Sequence, residues 1–68
     1  MPDVTLENHQ QRVVEEKNEL QEKLSKLNEF LASKDVLELS LKNRLLMTEQ
    51  AEWMSRYLAV LEKRIALF

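Results

Sequence analysis

The chain of 68 residues contains no glycine, and its one proline is Pro2. Tight turns between strands depend on residues that accept positive φ or preset a turn, so a strand-rich domain of this size would lack its punctuation. Leu, Glu, Lys, Gln and Arg dominate instead, and all are good helix formers. An all-α fold is expected.

The apolar spacing divides that helix content in two. Leu6, Val13, Leu20 and Leu27 form one column, and Leu24 and Leu31 continue a second whose earlier positions are Gln10 and Lys17. Alternating steps of three and four are the seam of a helix. Helix one is therefore expected over about residues 5–32, capped by Thr5 or Asp3, with its C-terminal half the better buried. Ser33, Lys34 and Asp35 are weak helix formers, and Val36, Leu37, Leu39 and Leu41 crowd without helical spacing, which places a connection over about residues 33–40. Ser40 is the expected cap of helix two, with Asn43 three residues on, and helix two is expected over about residues 41–67. Two helices of roughly 40 Å each, at about 1.5 Å per residue, joined by a short link, predict an antiparallel hairpin and one domain over residues 1–68. The rival is one continuous helix through Ser33 to Ser40 in a parallel coiled coil.

Helix two carries more apolar surface than one partner helix covers. Met47, Met54, Leu61 and Phe68 form one column and Ala51, Leu58 and Ile65 a second, while Leu46, Trp53, Val60 and Leu67 form a third with Tyr57 beside it. A pair of helices offers no third layer, so this surplus predicts a homo-oligomer.

Inventory excludes several functions. A chain this short hides only about 60% of its unfolded surface, which disfavours a self-sufficient enzyme. Ser25, Ser33, Ser40 and Ser55 have no evident base, and His9 is the one histidine. Ten Lys and Arg stand against twelve Asp and Glu, a net charge of −2, so no basic excess holds a DNA or RNA duplex, and no basic recognition helix supports a transcription regulator. Glu7 and His9 are two apart, the wrong spacing for a metal pair on one helix face, and neither a metal nor a cofactor is expected. The absence of cysteine points to the reducing cytoplasm. No apolar run approaches the roughly 20 residues of a membrane span, and Met1-Pro2-Asp3 lacks the start of a signal peptide, so no membrane partner is expected.

The acidic residues Glu15, Glu16, Glu19 and Glu22 read as a solvated face with pairs such as Glu19 to Lys23 and Glu22 to Lys26. One column does invite a ligand. His9, Glu16, Lys23 and Phe30 recur every seven residues and flank the seam. His9 and Lys23 lie about 21 Å apart along one helix, but two copies crossing antiparallel near Glu16 would set His9 of one beside Lys23 of the other. Each such cluster offers a flat ring and a cation, suited to a small ligand with bases and phosphates. As lone residues they read by default as ordinary surface. Arg12 and Arg44 are open in the same way, between surface ion pairs and ligand contacts, and Arg56 and Arg64 between phosphate contacts and the helix dipole.

The run Arg12-Val13-Val14-Glu15-Glu16-Lys17, then Glu19-Leu20, Lys23, Lys26-Leu27 and Phe30, resembles the small phage-encoded hairpin proteins that act as anti-CBASS and anti-Thoeris sponges. Arg44, Leu46, Gln50, Met54, Tyr57, Val60-Leu61, Arg64-Ile65 and Phe68 continue the resemblance to the C-terminus. It implies a helical hairpin assembled as a hexamer that sequesters cyclic oligonucleotide messengers without hydrolysing them. It further implies cyclic-dinucleotide contacts at His9, Arg12 and Lys23, with Lys26 as the competing lysine, and a separate cyclic-trinucleotide pocket at Arg44 and Thr48. Relatives carry tyrosine where this chain has His9, which implies weaker stacking there. Capture of cyclic ADP-ribose derivatives is open on the same resemblance. The alternative is a structural hairpin that binds another protein through its surplus apolar face.

Overall fold

A computed structural model describes residues 7–68. Two α-helices, α1 (Asn8–Ala32) and α2 (Leu41–Ile65), are joined by a 3-10 turn at Lys34–Glu38 and pack as a hairpin. The all-helical expectation holds among the described residues, and the connection falls where the spacing breaks.

Each boundary has a local cause. Ser40 sits in extended conformation and its Oγ accepts the Asn43 N–H at 3.2 Å, which satisfies one of the donors a helix start leaves unpaired. At the end of α1, Ser33 turns extended, while its N–H and its hydroxyl both donate to the Phe30 carbonyl, at 3.0 and 2.7 Å. The start of α1 differs from expectation. Glu7 is extended, its N–H donates to Gln10 Oε1 at 3.0 Å, and the helix begins at Asn8. The side-chain amide of Gln10 captures a donor that a longer helix would have used. The expected caps Thr5 and Asp3, and the seam position Leu6, lie outside the described residues. Helix two also closes earlier than expected, at Ile65, because Leu67 and Phe68 form single turn-like bonds to the carbonyls of Arg64 and Ile65.

The seam is regular on both helices. Gln10, Val13, Lys17, Leu20, Leu24, Leu27 and Leu31 are buried or half-buried on α1, as are Arg44, Met47, Ala51, Met54, Leu58, Leu61 and Ile65 on α2. Leu61 is fully buried and forms one cluster with Val13 and Leu20, packed against Met54, Leu58 and Ile65. As expected, the C-terminal half of α1 is the better buried, with Leu20 and Leu24 buried and Leu27, Phe30 and Leu31 half-buried, against Val13 alone buried in the first half; the cluster around the fully buried Leu61 nevertheless reaches back to Val13. Burial needs bulk on the facing helix as well as on its own. The branched and long side chains of α2 lie toward its C-terminal end, opposite Val13 and Leu20, whereas small Ala51 and the charged Arg44 occupy the other end of the seam.

Candidate functional site

The hairpin measures 53 × 18 × 14 Å, a rod two helices thick. Its core is one row of apolar side chains, and the described residues enclose no volume for a ligand of nucleotide size. Any such site is built on a flank or between copies.

His9, Lys23 and Glu16 are exposed along one flank of α1, and Phe30 at the end of the same column is half-buried. Helix periodicity alone sets them there, one seven-residue step apart. Arg12 is exposed on the same side. Lys26 is tied locally: its Nζ lies 3.2 Å from Glu22 Oε1 in an exposed ion pair. The expected companion pair between Glu19 and Lys23 does not close, and among the described residues Lys23 has no ion-pair partner. The two lysines therefore differ, one held by a neighbouring carboxylate and one open. Within a protomer His9 and Lys23 remain far apart on one straight helix, and the fold does not bring them together.

Arg44 and Thr48 do meet, one turn apart near the connection. Thr48 Oγ1 donates to the Arg44 carbonyl at 2.9 Å, so that hydroxyl hydrogen is already engaged. Arg44 occupies a seam position, and its Nε is buried without a hydrogen-bond partner among the described residues. Buried donors are nearly always paired in folded proteins, and this guanidinium is the exception here.

The third apolar column of α2 is exposed as its spacing predicts. Trp53 keeps 59% of its surface, Val60 52% and Leu46 55%, with Tyr57 beside them. Leu41 and Leu45 add to the apolar outer surface of α2. The guanidinium of Arg56 lies 5.0 Å from the centre of the Trp53 ring, within range of an attractive cation–π contact. The contact adds a third role for Arg56 to phosphate binding and the helix dipole, and its three-residue spacing from Trp53 is the sequence signal for it. A shallow open depression of about 470 Å³ beside this pair is lined by Leu45, Thr48, Glu49, Glu52, Trp53 and Arg56. Its two carboxylates make it unsuited to a phosphate.

Among the described residues no group of His, Cys, Asp or Glu is arranged to hold a metal ion. No described helix is long and apolar enough to cross a membrane. Residues 7–67 match a family model described as Sequestin. No curated protein and no solved structure matches the chain.

Proposed function

The chain belongs to the Sequestin family over residues 7–67, and from that premise we propose that it captures cyclic oligonucleotide messengers and withholds them without cleaving them. The family match over nearly the whole described chain carries this reading. In the host cytoplasm such a phage protein lowers the free messenger concentration by mass action, so the host effector that needs the messenger stays idle.

The chemistry of the flank supports it. A cyclic dinucleotide presents two bases and two phosphates, and a two-fold pairing of α1 helices duplicates whatever one helix offers. His9 gives a flat ring, and Lys23 and Arg12 give cations that make charge-assisted bonds to phosphate. Lys23 is the stronger candidate than Lys26, since no carboxylate occupies it. Arg44 and Thr48 are proposed for a second, cyclic-trinucleotide pocket; the unmet Nε of Arg44 supports an anionic acceptor there. The exposed column of α2 supports closure of several copies into an oligomer, proposed as a hexamer, because contiguous apolar surface of this extent is uncommon on free monomers.

Calorimetric titration with a panel of cyclic dinucleotides, cyclic trinucleotides and cyclic ADP-ribose isomers tests the proposal. Tight binding of at least one, with the ligand recovered intact, is expected; silence across the panel overturns it. The same exposed column favours one other reading, a hairpin that docks a different protein. Light scattering separates the two, since a lone protomer at micromolar concentration supports the docking hairpin and a closed oligomer the sponge.

A further inference from the structure

The packing of the hairpin fixes a register that neither helix contains alone. Val13 and Leu20 are roughly 10 Å apart along α1, too far to touch one another, yet both belong to one buried cluster with Leu61. Leu61 therefore sits between them, level with Lys17. Counting back four residues on the antiparallel helix brings Tyr57 level with the stretch just after Leu20.

The flank follows from direction. Lys23 immediately precedes the seam residue Leu24, and Tyr57 immediately precedes the seam residue Leu58. When two right-handed helices run in opposite directions, positions that precede the seam on each fall on the same side of the pair. Lys23 and Tyr57 thus share one flank, roughly 4 Å apart along the axis. Both are exposed, and Tyr57 keeps 44% of its surface.

We infer that Tyr57 is a second base-stacking residue, beside His9, of the site at Lys23, so that a purine ring lies on the phenol while its phosphate meets the ammonium of the same protomer. The inference rests on the capture of cyclic dinucleotides proposed above. It adds a contact from α2 to a site otherwise drawn from α1. Every base has a π face, so a tyrosine here tolerates either purine, and the lysine on the neighbouring helix supplies the charge-assisted bond that orients it. Both helices then hold the ligand, with α2 adding a base contact at Tyr57 to the phosphate contact at Lys23 on α1.

Tyr57 is the chain's one tyrosine, so its ring-proton resonances are assigned without ambiguity. Titration of the intact protein with cyclic di-AMP and cyclic di-GMP is expected to move those resonances upfield as a base stacks on the ring. Tyr57→Phe should bind as the parent does, and Tyr57→Ala about tenfold more weakly, a change worth roughly 1.4 kcal/mol. Ligand that saturates the protein while the tyrosine resonances stay in place overturns the inference and leaves the capture reading standing. Absence of binding by either cyclic dinucleotide overturns both the inference and the dinucleotide reading on which it rests.

Discussion

α1 and α2 each run for 25 residues and contribute the same three-four seam, yet they present different chemistry to the outside. The outer surface of α1 is carboxylates, amides, lysines, Arg12, Ser25 and one histidine, with Ala32 at its end. That of α2 carries Leu41, Leu45, Leu46, Trp53, Tyr57 and Val60, all exposed. The two helices thus share one inner design and differ outside, where α2 is rich in apolar side chains and α1 is polar. An equal hairpin built only to be stable would not need this asymmetry.

The sharpest way to break this comparison is to make α2 resemble α1. Trp53→Glu sets a carboxylate into the centre of the apolar column and removes the ring on which Arg56 rests. If copies of the chain cover that column, each must bury the new charge at a cost of several kcal/mol, and the mass seen by light scattering should fall to that of one chain. If the mass is unchanged, α2 does not mediate assembly. Glu15→Gln on the exposed side of α1 is the control and should leave the mass alone.

Next in size is the inner design that the helices share. Leu61→Ala empties a fully buried position between Val13 and Leu20 and should cost about 2 to 5 kcal/mol, read from the urea midpoint. Leu67→Ala, at a position 87% exposed, should stay within about 0.5 kcal/mol. Comparable losses at the two positions would show that Leu67 is also covered in solution, and would move the end of α2 into the interface.

A smaller effect separates the two lysines of α1. Lys23→Ala should weaken capture of a two-phosphate ligand by about 1.5 to 3 kcal/mol for each charge-assisted bond lost. Lys26→Ala removes an ammonium already shared with Glu22, and an exposed pair of that kind is worth only about 0.3 to 0.5 kcal/mol, so its effect should be slight. Calorimetry on both variants with one cyclic dinucleotide decides the assignment, and equal affinities for parent and Lys23→Ala take Lys23 out of the site.

The sequence exposed those features that repeat along one helix. The absence of glycine, the three-four spacing and the cap at Ser40 each depend on residues within a turn or two, and each is legible in the sequence alone. The exposed third column of α2 was readable for the same reason: a column is a property of one helix. The concentration of burial around Leu61 was not, because it depends on what faces each residue across the seam. The starting residue of α1 turned on a single amide, Gln10 bonding back to Glu7. The neighbourhood of Lys23 and Tyr57 was least legible, since it depends on how far the 3-10 turn at Lys34–Glu38 displaces one helix along the other. A sequence read one column at a time placed Lys23 with His9 and Glu16, its companions on α1, and had no means of finding its neighbour on α2.

That connection supplies the smallest test and bears directly on register. Ser40 is the point where the 3-10 turn hands over to α2. Leu39 N–H closes the turn on the Val36 carbonyl at 3.1 Å, and Ser40 Oγ accepts from Asn43. Ser40→Ala removes that acceptor and should cost about 1 kcal/mol, whereas Ser40→Asp keeps an acceptor at the positive end of the helix and should cost little. Hydrogen exchange localises the change: faster exchange confined to the first turn of α2 means that the cap secures only its own helix. Faster exchange that reaches the buried row at Leu20 and Leu61 means that the cap also holds the two helices in register, and Ser40→Ala should then weaken dinucleotide capture even though the residue lies far from Lys23 along the chain.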